Sequence, residues 1–175
     1  MIGSGTGINC SNKRVEPVDD TLVVLNEIDD VLPNPFKGLA PWVGEQNPVY
    51  QTTLQYVNCE WKDLEPSSGV YNWNNLEKNW GNVVVTGRRV GFRISAATPG
   101  TVGHYDIPEW LVNQGVRMRA YEIDNQHGLA PDWDDFRLLQ AHHDFITALG
   151  ARYDGDPRVG WIDIGSYGFW GEWHV

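Results

Sequence analysis

The 175 residues hold only two cysteines, Cys10 and Cys59. That is too few for a disulfide framework, and their spacing fits no metal site. Long apolar runs are missing as well: no stretch of about 18 apolar residues occurs, so no segment reads as a membrane-spanning helix. The first residues, Met1-Ile2-Gly3-Ser4-Gly5-Thr6-Gly7-Ile8-Asn9, lack the charged and apolar regions of a secretory signal. Positive charge is scarce, with 13 Lys and Arg against 23 Asp and Glu and a formal net charge of −10. Such a balance repels phosphate backbones and anionic lipid, which argues against nucleic acid or a membrane surface and for a neutral partner. There is no phosphate-binding glycine loop and no nucleophile elbow. No cofactor is expected.

What is abundant is tryptophan, nine residues in a chain that is 41% hydrophobic. That is enough apolar material for a packed core, and it excludes disorder for most of the chain. Each Trp either fills that core or offers a flat face on which a sugar ring can stack, and composition leaves both readings open.

Residues 1–33 are polar and rich in Gly and Asp, with one apolar patch at Leu22-Val23-Val24-Leu25, and read as a flexible leader or tail, or as a first edge element. Within it, Cys10 heads the polar run Ser11-Asn12-Lys13-Arg14. This resembles the acylated start of a bacterial lipoprotein and would imply the cell envelope or secretion; an unremarkable tail thiol is the alternative. The ordered domain is expected over residues 34–175. A strand over Thr53–Glu60 is followed by a Pro/Gly turn, then by a helix capped by Asn72 or Asn74, carrying Leu76, Trp80, Val83 and Val84 and closed by Gly87. A second strand covers Arg88–Ser95. Residues 98–131 read as a long loop with a short amphipathic piece at Pro108–Val112. A helix over Asp134–Leu149 has Phe136, Leu139, Ile146 and Leu149 at helical spacing and Gly150 as its stop, with Asp132, Asp134 and Asp135 favourable at its N-terminus. A third strand, Val159–Gly165, follows. Strands alternating with helices imply βαβ units and a parallel sheet, with the chemistry at the carboxyl ends of the strands.

Side chains alternate along a strand. Phe92, Ile94, Ile162 and Ile164 are expected to face helices, leaving Gly91, Arg93 and Ser95, Trp161, Asp163 and Gly165, and Tyr56, Asn58 and Glu60 on the other side. A polar inner face with Arg93, Asp163, Asn58 and Glu60 fits the interior of a barrel near its mouth, where charges pair. An Arg93–Asp163 pair could be structural or part of a site. The last strand runs into Gly165-Ser166-Tyr167-Gly168-Phe169-Trp170-Gly171-Glu172-Trp173-His174. A carboxylate between two tryptophans at a strand end is a setting that raises a pKa and makes a general acid, so Glu172 is the catalytic candidate; a surface loop residue is the alternative. His142-His143 has no ligand partner at metal-site spacing, and no metal site is expected.

Four runs together, Asn34-Pro35-Phe36-Lys37-Gly38, Glu60-Trp61-Lys62-Asp63-Leu64-Glu65-Pro66-Ser67-Ser68-Gly69-Val70-Tyr71-Asn72-Trp73, Ala148-Leu149-Gly150-Ala151-Arg152-Tyr153-Asp154-Gly155-Asp156-Pro157 and Gly171-Glu172-Trp173-His174, resemble a family of bacterial glycosidases. That family is related to the family 42 β-galactosidases and to clan A of the retaining (β/α)8 glycoside hydrolases. The resemblance implies a TIM-barrel fold of which residues 34–175 form about the first four β/α units, a half-barrel whose unpaired edges favour self-association. It implies that Glu172 is the acid/base at the end of the fourth strand, with the nucleophile on a seventh strand beyond these residues. The clan usually has Asn before this Glu; here residue 171 is Gly, and the contact of that Asn with a substrate hydroxyl is lost. The expected activity is β-galactosidase-like hydrolysis of a neutral oligo- or polysaccharide, the chain being inactive alone, with Asn58, Glu60, Trp61, Arg93, Asp163, Tyr167, Trp170, Trp173 and His174 lining the sugar. A non-catalytic carbohydrate-binding barrel is the alternative.

Overall fold

The computed structural model describes residues 36–45, 52–78, 80, 83 and 86–174. All belong to the second of the two units into which the chain divides, residues 32–175. The leader with Cys10 and the Leu22–Leu25 patch, together with Asn34, Pro35 and Val84, lies outside the described residues.

The elements are β1 (Leu54–Glu60), α1 (Trp61–Leu64), α2 (Asn74–Glu77), β2 (Arg89–Ser95), α3 (Glu109–Asn113), β3 (Met118–Ile123), β4 (Gln126–Pro131), α4 (Phe136–Tyr153) and β5 (Val159–Asp163), followed by a tight 3-10 turn at Phe169–Gly171. Strands β1, β2 and β5 form a parallel sheet in that order, with Asn58 beside Arg93, Arg93 beside Asp163 and Glu60 beside Ser95. Trp42 adds an isolated parallel bridge to Tyr56 of β1. Strands β3 and β4 pair antiparallel. The fold is therefore mixed α/β with one parallel and one antiparallel sheet among the described residues.

One hydrophobic cluster holds the parallel sheet to α4. Val90, Phe92 and Ile94 pack with Leu138, Ala141, Phe145, Leu149 and Tyr153. Phe92 meets Trp80 and Tyr153 with ring centroids 5.7 and 5.2 Å apart. The expected orientation of Phe92 and Ile94 toward helices is what the structure has. Ile162 and Ile164 lie on this same side, lining an apolar groove of about 440 Å³ with Ile94, Phe145, Ile146 and Leu149. They are not packed, however: Ile164 is 72% exposed.

Several sequence expectations need correction. Residues 98–131 are not a loop throughout. They contain the β3–β4 hairpin, whose turn residues Asp124 and Asn125 both have positive φ, as a type I′ turn requires and Asp and Asn tolerate. The helix after Asn72 is a single turn without a side-chain cap. The buried stripe of α4 is Leu138, Ala141, Phe145, Leu149 and Tyr153, whereas Phe136, Leu139 and Ile146 are exposed. Both stripes have helical spacing, and the winner is the one that meets the rings of Trp61, Tyr71 and Trp73, all near Phe145. Gly150 does not stop α4, which runs on to Tyr153 and ends before Gly155 at φ 73°. Asp135 caps it as expected, accepting from the Arg137 N–H. Asp132 instead braces the hairpin through Arg117 and Arg119.

The motif beginning at Trp61 is structural. The Trp61 ring is 1% exposed, and its Nε1–H donates to Glu65 Oε2 at 2.8 Å. The Gly69 N–H donates to the other carboxylate oxygen at 3.0 Å, and Trp110 Nε1–H to the Glu65 carbonyl. Burial pushes the Glu65 carboxyl up, against the pull of these donors. At the other end of the sheet, Glu77 accepts from Arg152, Tyr153 and Arg158 and so ties α2 to the end of α4 and the start of β5.

Burial disfavours the charged form of Glu77, but the donors from Arg158, Arg152 and Tyr153 outweigh it and hold the carboxyl below its ordinary range. A depressed folded pKa contributes stability above the unfolded value that is lost as pH falls through the folded one. Glu77→Gln is expected to cost about 1–3 kcal/mol at pH 7 and to flatten the loss of stability below about pH 4.3, read from urea unfolding at pH 7 and pH 3.5. An unchanged acid limb in the variant would refute this role.

Candidate functional site

On the face of the sheet away from α4, the permanent charge of Arg93 sits on the middle strand and has to be paired. Its guanidinium reaches three groups: Asp163 Oδ2 of β5 at 3.5 Å, Glu172 Oε1 at 3.2 Å and the Trp170 carbonyl at 2.9 Å. Tyr56 of β1 donates its O–H to the same Asp163 oxygen at 2.7 Å. Burial, then the Asp163 carboxylate, drives the Tyr56 phenol well above its usual pKa. The expected Arg93–Asp163 pair is thus present, and it extends to Tyr56 and Glu172. All three strands of the parallel sheet contribute, and Glu172 comes from the segment after the last of them.

Aromatic rings pave the approach. Trp42, Tyr56 and Trp161 follow one another at 5.3 and 6.2 Å, the second pair stacked. Trp161 can lie flat because Gly91 lies beneath it; a Cβ there would overlap the indole. Gly165 is hemmed in the same way by the Arg93 stem and the Ile94 carbonyl.

The segment carrying Glu172 is coiled tightly. Trp170 (φ 53°) and Trp173 (φ 64°) both adopt the left-handed conformation that bulky residues avoid. Backbone bonds Trp170 N–H to Ala97 O at 2.8 Å and Phe169 N–H to His174 O at 2.9 Å hold it there. The two tryptophans do not enclose Glu172, whose side chain is 52% exposed with Arg93 as its partner. Trp173 is turned to its own segment, donating to the Ile164 carbonyl at 3.1 Å and lying 5.8 Å from Tyr167. Trp170 lies 5.8 Å from the His174 ring, and Tyr167 rests against Trp133.

The other expected site residues divide. Asn58 is exposed on β1, and Trp61 is withdrawn from any ligand into the core. The alternation rule does not reach Trp61, which starts a helix after the strand. Glu60, at the carboxyl end of β1, belongs to a separate group that sequence spacing does not reveal. Its Oε2 meets Lys62 Nζ at 2.7 Å and its Oε1 faces His104 Nε2 at 3.6 Å. His104 Nε2 in turn lies 2.8 Å from Oδ1 of Asp106, a residue with 0% exposure. Burial pushes the Asp106 carboxyl up to about 6. These three side chains, 44 and 46 residues apart from β1 to the loop after β2, are the candidate metal-binding group among the described residues. His142, by contrast, packs edge-on against Trp61.

No family model matches the chain, and no curated protein matches it. Among solved structures, a β-galactosidase from the psychrophilic Marinomonas ef1 is similar over 63% of this chain at 21% identity, with a TM-score of 0.41. The aligned part spans 17% of that β-galactosidase.

Gly91→Ala is expected to force the Trp161 indole off Tyr56 at a cost of about 1–3 kcal/mol, with a change in tryptophan fluorescence. Retention of both stability and the native emission spectrum would mean that the stacked arrangement does not need the glycine.

Proposed function

We propose that this chain carries the acid/base side of a retaining, β-galactosidase-like glycoside hydrolase site of the clan A type, acting on a neutral oligo- or polysaccharide. The observation that carries the reading is the Arg93 cluster: Asp163 and Glu172 meet one guanidinium and Tyr56 joins them through Asp163, at the carboxyl-terminal part of a parallel sheet and beside a paved row of aromatic rings. The left-handed backbone at Trp170 and Trp173 adds to it, since such strain persists where a site needs a side chain held in place. In this reading Glu172 protonates the glycosidic oxygen as the bond breaks and later takes a proton from the attacking water. Arg93 and Asp163 fix its position, and Trp161, Trp170, Tyr167, Trp173 and His174 are where a sugar would lie. A retaining mechanism also needs a carboxylate nucleophile across the sugar from Glu172, which in the clan A reading stands on a later strand of a complete barrel.

A second reading, a non-catalytic carbohydrate-binding protein, is favoured by the half-exposed, Arg-paired state of Glu172. The two readings separate in hydrolysis assays. Glu172→Gln is expected to reduce hydrolysis of a substrate with a poor leaving group by roughly 10²–10⁴-fold. Formation of the glycosyl intermediate from an activated aryl β-galactoside should be far less affected, and azide should restore turnover. Equal loss on both substrates without rescue would leave Glu172 a binding residue.

The 175-residue chain is also expected to self-associate through the groove that exposes Ile146, Ile162 and Ile164. Light scattering should show a concentration-dependent mass that Ile164→Lys lowers; a wild-type monomer at high concentration would overturn this.

A further inference from the structure

We propose that Glu60, His104 and Asp106 form a binding site for one divalent transition-metal cation of the zinc or manganese class. The site shares no residue with the Arg93 cluster and does not depend on the role given to Glu172.

Three carboxylate and imidazole groups near one another are common without a metal. What distinguishes this group is Asp106 Oδ1, which is fully buried yet has no hydrogen-bond donor. His104 Nε2 lies 2.8 Å away, an ion-pair contact when the ring is protonated, and no donor completes a hydrogen bond to this oxygen. A buried oxygen without a donor is costly. When the imidazole is neutral with its proton on Nδ1, the Nε2 lone pair faces the carboxylate oxygen at 2.8 Å, and a cation bound to both relieves the repulsion.

The surroundings hold the ligands for this purpose. The other Asp106 oxygen, Oδ2, accepts from Ser95 Oγ at 3.4 Å, which turns Oδ1 toward His104. Backbone bonds clamp the segment on both sides, Leu129 N–H to His104 O and Lys62 N–H to Asp106 O, each at 2.7 Å. Lys62 takes Glu60 Oε2 and the Tyr105 carbonyl, leaving Glu60 Oε1 free to face His104. Such outer partners commonly fix the orientation of metal ligands. Glu60 and His104 are partly exposed, which gives an ion a way in.

The donor set decides the class. One imidazole nitrogen and two carboxylate oxygens suit Zn²⁺ or Mn²⁺, whereas Ca²⁺ asks for 6–8 oxygens. The three ligand atoms lie within 4.8 Å of one another. Coordination bonds of about 2.0–2.2 Å bring ligand atoms to roughly 3–4 Å apart, so a small inward movement of the Glu60 side chain completes the set, with water in the remaining positions.

The test is titration of the metal-free protein with ZnCl₂ by calorimetry and with CoCl₂ by visible absorption. One saturable equivalent is expected, with visible cobalt absorption that grows in at the same stoichiometry. His104→Ala and Asp106→Asn should each weaken binding by at least about tenfold, while His143→Ala and His174→Ala leave it unchanged. His104 is partly exposed, so its variant reports on the site even where Asp106→Asn fails to fold. Absence of a saturable equivalent, or binding that survives His104→Ala, would overturn the proposal and leave the group an ion pair.

Discussion

A charged side chain on the central strand of a parallel sheet sets the terms for this molecule. Arg93 cannot give up its proton, so the face it occupies must supply carboxylates or stay open to water. The chain supplies two, and both come from the far end of the sequence: Asp163 on the neighbouring strand and Glu172 beyond it. Because the partners are some 70 and 79 residues away, the pairing also fixes the register of β2 against β5 and the path of the segment that follows. The opposite face has the inverse requirement, and Phe92 and Ile94 meet it against α4. One strand with strict alternation thus generates a dry side that holds the fold and a polar side on which chemistry can be built.

The longest motif in the sequence serves the dry side. Trp61 and Glu65 are one helical turn apart, which lets the indole N–H reach the carboxylate within the same short segment. Gly69 closes the loop onto the other oxygen. A buried carboxylate with two donors from its own segment is a local lock, and the ring it holds becomes the floor on which Phe145 and His142 rest. Specific spacing in a sequence therefore need not mark a ligand site. Here the residues are exacting because a charge and an indole must be satisfied together inside the core.

This explains which parts of the molecule were legible beforehand. Period-two patterns located the three parallel strands and assigned Phe92, Ile94, Arg93 and Asp163 to their faces, because alternation is a local property. The same rule said nothing of Trp61, one residue past a strand end, which is buried where a sugar-binding role had been expected. The helix over residues 136–153 was legible as a helix but not by face: two overlapping stripes have the right spacing, and only tertiary neighbours choose between them. The hairpin was missed because its strands, Met118–Ile123 and Gln126–Pro131, are short and carry Arg, Glu, Gln and His, with a turn that reads as ordinary polar loop. Glu172 was found by its neighbours in sequence, yet its partner in space is Arg93, and no local pattern contains that pair.

The Glu60 group carries the same lesson to the carboxyl edge of the sheet. Glu60 ends β1 and pairs in register with Ser95, the last residue of β2. Ser95 points to the buried Asp106, which the loop after β2 returns to this edge. The edge therefore holds two ionic groups of different character. Around Arg93, acidic groups gather about a fixed positive charge that the chain itself provides. Around Asp106, acidic and imidazole groups converge, with Lys62 held by Oε2 of Glu60 and the Tyr105 carbonyl. In the first, Asp163, Glu172 and the Trp170 carbonyl meet the terminal guanidinium nitrogens, while Arg93 Nε is buried without an acceptor. In the second, Oδ1 of Asp106 is buried without a hydrogen-bond donor and faces the His104 ring nitrogen at 2.8 Å, the two atoms on which the proposed cation site rests.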